Sequence, residues 1–139
     1  MDRRVVDEKI ESLRRCIRRV ESRRPASVEA LRADLDLQDI LSLNLTRAVQ
    51  VSVDLAAHLA AGLDVPAPST MAGAFQALAD AGVLSRDVAD RMRSAVGFRN
   101  VAVHAYQTID WAIVLAISHH HLDDFRAFAT AVVQAHPDT

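Results

Sequence analysis

An all-α fold, an up-and-down bundle of five or six helices, is expected for this chain of 139 residues from three observations. Alanine, the strongest helix former, occurs 24 times, while glycine and proline, the two breakers, occur four times each. Apolar residues recur at spacings of three and four, which places them on one face of a helix. No segment alternates apolar and polar residues between hairpin turns, as a half-buried strand would. Half of the residues are apolar and the formal net charge is −2, a balance that argues against disorder. The length suits one domain spanning residues 1–139.

The elements follow in order. Over residues 3–22, Val6, Ile10, Leu13, Ile17 and Val20 mark one amphipathic helix. Pro25 ends it, because proline disfavours the helical conformation in the residue before it. Ser27 can cap a short helix reaching Leu35. A long helix is expected from Leu37 to Ala61, with Leu41, Leu45, Ala48, Leu55 and Leu59 inward and Gly62 as its stop. Ser69 or Thr70 can cap the next helix, which carries Phe75 and Leu78 inward and ends at Gly82. Ser85 caps another, with Val88, Met92, Ala95 and Val96 as its apolar positions. Asp110 can start the last helical region, and His119-His120-His121 marks a bend before Leu122–Ala135.

Composition also excludes classes. The longest strictly apolar run, Trp111 to Ile117, is seven residues. A membrane span needs about twenty. Met1-Asp-Arg-Arg4 is followed by charged residues and not by the apolar stretch of a secretory leader, so a soluble cytoplasmic protein is expected. The single cysteine, Cys16, excludes an internal disulfide and a multi-cysteine zinc site. No phosphate-binding glycine loop, nucleophile elbow or His-Glu-x-x-His zinc motif occurs, and no cofactor is implied.

Charge is unevenly distributed. Residues 1–24 hold nine basic and five acidic groups, whereas residues 25–139 hold seven and thirteen. The arginines between Arg14 and Arg24 can attract nucleic acid or an acidic partner, or form a solvated face paired with Glu11 and Glu21.

Three polar clusters can carry chemistry. His119-His120-His121 cannot converge on one ion, because successive helix residues point about 100° apart. A solvated helix junction is the expected role. Arg47, Gln50, Asp54 and His58 share one face of the long helix. The third cluster is Arg99-Asn100-(Val-Ala-Val)-His104-Ala-Tyr106. His can move a proton near neutral pH, Arg can stabilise a pentacoordinate phosphate, and Asn can orient His or bind a phosphate oxygen. Such a set suits RNA cleavage without a metal, in which the ribose 2′-OH attacks the adjacent phosphate. It equally suits a satisfied polar network with no chemistry. Asn100 and His104 share a helix face, but Arg99 and His104 lie about 140° apart around the axis. They meet only if the helix is distorted there, which Gly97 and three valines invite, or if they come from two chains.

Arg99-x4-His104-x-Tyr106, with Asn100 after the arginine, resembles the Arg-x4-6-His motif of the HEPN superfamily, and the fuller pattern resembles its HepT-like toxin family. Leu43–Gln50, Asp54–His58, Ser69–Gly82 and Gly97–Asn100 are similar to the segments leading to that motif, so the likeness covers residues 3–135. The resemblance implies a helical homodimer with two motifs facing across a cleft. It implies a metal-independent endoribonuclease, with tRNA or mRNA as substrate, acting as the toxin of a type VII toxin–antitoxin pair. Arg99 and His104 would be the catalytic pair and Asn100 the polar helper. The antitoxin would be a small nucleotidyltransferase that AMPylates Tyr106. Arg47, Asp54 and His58 would support the cleft, the last two as a buried polar pair. The other reading is a non-catalytic, substrate-binding partner subunit of a nucleotidyltransferase.

Overall fold

The structure is a computed structural model that describes residues 3–135. Seven helices follow one another: α1 Arg3–Arg23, α2 Val28–Arg32, α3 Leu35–Ala61, α4 Met71–Asp80, α5 Arg86–His104, α6 Trp111–His120 and α7 Leu122–Ala135, with a single 3₁₀ turn at Tyr106–Thr108. The count exceeds six because His121 separates α6 from α7, at the bend that the histidine run marks in the sequence. Among the described residues there is no strand, and no helix is long and apolar enough to cross a membrane.

Helix α3 is the spine, touching every other α-helix. Its 27 residues bury leucines and alanines together with the short polar side chains of Ser42, Asn44 and Ser52. Those polar groups are satisfied within the helix: Asn44 Nδ2 donates to the Ile40 carbonyl at 2.8 Å and Ser52 Oγ to the Ala48 carbonyl at 2.8 Å. Buried Gln38 donates to the carbonyls of Leu31 and Arg32 and so fastens the end of α2 to α3.

Helix α1 lies along α3 with Val6, Ile10, Leu13, Ile17 and Val20 buried, the stripe expected of it, and Cys16 beside them. Burial pushes the Cys16 thiol up, with Arg47 and Arg15 pulling the other way, and the side chain packs in the core. Phe75 of α4 meets Phe128 of α7 edge to face at 5.4 Å, and both are fully buried. Such a pair adds about 0.5–1.5 kcal/mol beyond its area.

Caps set the boundaries. Asp34 accepts from Leu37 N at 3.1 Å, so α3 starts at Leu35 and α2 stops at Arg32, short of the expected Leu35. Ser27, Thr70, Ser85 and Asp110 cap α2, α4, α5 and α6. Gly82 has φ +79°, the one left-handed residue among those described, and it lets Val83 and Leu84 turn back onto the Leu78 carbonyl. Gly97 does not distort α5: the helix runs unbroken from Arg86 to His104. Met92 and Val96 are buried ahead of it, and that packing overrides the weak propensity of the segment.

Candidate functional site

The straight course of α5 decides the geometry. Arg99 and Asn100 lie in its penultimate turn, and His104 is its last residue. Over five residues of regular helix, Arg99 and His104 diverge by about 140°. Within one chain they make no hydrogen bond to each other, and among the described residues His104 has no hydrogen-bond partner. Arg99 is half-buried and donates from Nη1 to Asn100 Oδ1 at 3.3 Å. Its Nε is enclosed and unpartnered. A guanidinium whose donors are only partly satisfied has capacity for a ligand.

Past His104 the chain leaves the helix at Ala105, and Tyr106 opens the 3₁₀ turn. The Tyr106 ring stands edge-on to Trp111 at 6.0 Å. Its hydroxyl donates to Asp39 Oδ1 on α3 at 2.8 Å. Asp39, Ser42, Leu43, Thr46, Ala102 and Val103 line an open cleft of about 400 Å³ in front of the ring. Partial burial pushes the Tyr106 phenol up and the Asp39 carboxylate adds to this, while the Ser42 hydroxyl opposes it.

Asp39 is also a wall of a second groove, of about 320 Å³, between α1 and α3. Arg15, Arg19 and Arg47 line it, and among the described residues none of the three guanidinium groups makes an ion pair or a hydrogen bond. The basic first helix therefore divides. Arg18 pairs with Glu11 at 3.1 Å as expected of a solvated face, but Glu21 is taken by Arg126 of α7 at 2.7 Å. Arg15 and Arg19 remain as unneutralised charge beside Arg47.

A third cleft, about 510 Å³, runs between α5 and α6 and is mostly apolar. Gly97, Phe98, Val101, Ile113 and Ile117 form its walls. Val101 of α5 and Ile113 of α6 are exposed in this cleft, and Val103 of α5 and Leu43 of α3 are exposed in the one before Tyr106.

The long-helix polar row does not behave as one unit. Asp54 and His58 are not a buried pair. The Asp54 carboxylate is half-exposed and is taken by Gln50 Nε2 at 3.0 Å and by Lys9 Nζ of α1 at 3.5 Å. His58 buries Nε2 without a partner. The physical reason is the crossing of α1, which brings a cation to Asp54 that helix spacing alone does not reveal. The three histidines part company as well: His119 Nε2 meets the Pro25 carbonyl at 2.7 Å, and His121 Nδ1 meets Asp124 at 3.1 Å. Sequence reasoning missed Asp39 altogether. It lies 67 residues from Tyr106, and no local pattern connects the two.

The chain as a whole is similar to known proteins. The family profile described as Ribonuclease HepT-like matches residues 13–132. The mRNA nuclease HepT of Shewanella oneidensis is 30% identical over 128 residues, which is 92% of this chain and 96% of that protein. The tri-AMPylated Shewanella oneidensis HEPN toxin, solved in complex with MNT antitoxin, superposes with a TM-score of 0.88 at 30% identity, covering 96% of this chain and 99% of that one. A toxin–antitoxin structure with AMP-PNP gives a TM-score of 0.86 at 30% identity over 95% of this chain and 99% of that one.

Proposed function

The chain belongs to the ribonuclease HepT-like family, and on that premise we propose that it is the RNA-cleaving toxin of a type VII toxin–antitoxin pair, acting as a homodimer. The observation that carries this reading is the unbroken end of α5. It presents Arg99, Asn100 and His104 on a helix too regular for Arg99 and His104 of one chain to converge. A second copy resolves the problem. Two α5 ends set face to face bring the Arg99 of one chain toward the His104 of the other, and give the site two histidines.

Each residue then has a role. One His104 removes the proton of the ribose 2′-OH and the other returns a proton to the leaving 5′ oxygen. Arg99 offsets the negative charge that builds on the non-bridging oxygens as five oxygens surround the phosphorus. Asn100 holds the Arg99 fork through the contact already seen. These groups supply acid, base and charge stabilisation from the chain itself. Arg15, Arg19 and Arg47 offer a path for the phosphates of the substrate strand. RNA and a nucleoside triphosphate are both cytoplasmic molecules, and the reading carries that location.

The purified chain should cut single-stranded RNA in the presence of EDTA and leave 2′,3′-cyclic phosphate ends, which mass spectrometry of the fragments reads. No cleavage would leave the substrate-binding subunit as the better reading, and cleavage abolished by EDTA would remove the metal-independent mechanism.

The apolar cleft between α5 and α6 supports the homodimer, since exposed Val101 and Ile113 line it beside the motif that must face its copy. Gly97 tests it. A Cβ there meets nothing within 4 Å in one chain, so Gly97→Ala should stabilise the monomer by about 0.5–1 kcal/mol through helix propensity. If the second copy packs on this face, the added methyl weakens the dimer at the same time. Chemical denaturation of the dilute monomer and sedimentation equilibrium should therefore move in opposite directions. An unchanged dimer constant would place the interface elsewhere.

The partner is proposed to be a nucleotidyltransferase antitoxin, as in the relatives solved with MNT antitoxin. Its target is Tyr106, the one tyrosine of the chain, exposed beside the motif. A nucleotide there adds bulk and negative charge at the mouth of the RNA cleft.

A further inference from the structure

The oxygen of Tyr106 is held and not merely exposed. Its hydroxyl donates to Asp39 Oδ1 at 2.8 Å, and the ring is steadied by Trp111. Ser42, one turn along α3, lines the same cleft and donates to the Asp39 carbonyl at 3.3 Å. Among the described residues Asp39 makes no ion pair, while Arg15 and Arg19 of α1 and Arg47 of α3 line the groove on its other side. Both Asp39 and Tyr106 are open to an approaching partner.

From this geometry we propose that Asp39 is the proton acceptor when Tyr106 is nucleotidylated, so that the toxin supplies the base for its own modification. The proposal rests on the reading of Tyr106 as the modified residue. The co-substrate is a nucleoside triphosphate held by the partner. Tyr106 Oη attacks the α-phosphorus and forms the new O–P bond. The Oη–H bond breaks and its proton passes to Asp39 Oδ1. The bond from the α-phosphorus to its bridging oxygen breaks, and that electron pair leaves with pyrophosphate.

Two arguments support the assignment. A phenol is a weak nucleophile near pH 7, and its partly buried setting keeps Tyr106 protonated until attack, so a base must take the proton as the bond forms. A carboxylate oxygen 2.8 Å away is within the reach required of that base. A second consequence separates this role from simple positioning. Once one nucleotide is attached, any later unit joined to it grows from a ribose hydroxyl and not from Tyr106 Oη. Asp39 therefore acts on the first addition alone.

The experiment uses the full chain, the nucleotidyltransferase partner, ATP and magnesium, with intact mass read over time at saturating partner. Asp39→Asn keeps an oxygen that accepts the hydrogen bond but is no base. It should slow the first addition by about 10²–10⁴-fold. The second addition, started from singly modified protein, should keep its wild-type rate. Asp39→Glu, which restores a carboxylate, should recover part of the loss. A first addition in Asp39→Asn within about threefold of wild type overturns the proposal and leaves the Tyr106 reading intact. An equal slowing of both additions would assign Asp39 to partner docking and overturn it as well. If wild-type Tyr106 gains no mass, both the Tyr106 reading and the proposal fall.

Discussion

His104→Ala should lower RNA cleavage by roughly 10²–10⁴-fold, the usual contribution of a general acid or base, with no loss of fold. His104 is the exposed last residue of α5 and, among the described residues, makes no hydrogen bond or ion pair. Truncating such a side chain changes stability by about 0.5 kcal/mol or less. Circular dichroism and the melting temperature should therefore match wild type while initial rates on a labelled RNA collapse. The dimer sharpens the test. If the acid and the base are the two His104 residues, a mixed dimer with one wild-type chain is nearly as inactive as the double mutant, not half as active. A mixed dimer at half the wild-type rate would show that each chain completes its own site, and the two-chain mechanism would fail. Arg99→Lys probes the other member of the pair. Lysine keeps the charge but not the planar fork, so the partly enclosed contact with Asn100 is lost with the bidentate hold on phosphate.

Local chemistry made much of the fold legible. The stripe from Val6 to Val20 is buried as its spacing requires, and Ser27, Ser85 and Asp110 cap the helices that follow them. These features depend on neighbours within about one turn, so the sequence displays them directly. Legibility fell where tertiary packing opposed local preference. Gly97 and the valines around it suggested a distorted helix, yet burial of Met92 and Val96 keeps α5 straight. That straightness excluded one of the two ways in which Arg99 and His104 can cooperate, and so turned an open alternative into an argument for a dimer. The site residues on one helix were visible as a motif, because their spacing is the signal. Groups supplied by another helix were not. Lys9 reaching Asp54, and Asp39 reaching Tyr106, are pairings set by how α1 and the 3₁₀ turn cross α3.

Tyr106→Phe should abolish modification by the partner and leave the nuclease unrestrained. The chain has a single tyrosine, so removing its oxygen leaves no phenol to accept a nucleotide. The structural cost is small. One exposed hydrogen bond to Asp39 is lost, worth about 0.5–1.5 kcal/mol, and phenylalanine keeps the edge-on contact with Trp111. Stability and RNA cleavage in the absence of the partner should thus stay near wild type. With partner, ATP and magnesium present, the wild-type chain should gain the mass of AMP and lose activity, whereas the phenylalanine variant should gain none and keep cutting. The expected reason is charge: a phosphodiester on Tyr106, beside the motif, would repel an incoming RNA strand, as an unmodified ring would not. The decisive comparison is partner without ATP. If it silences wild type and Tyr106→Phe alike, docking over the α5 end suffices for inhibition and the covalent step is secondary. If silencing requires both ATP and the Tyr106 hydroxyl, the nucleotide is the inhibitor and the partner is the enzyme that installs it.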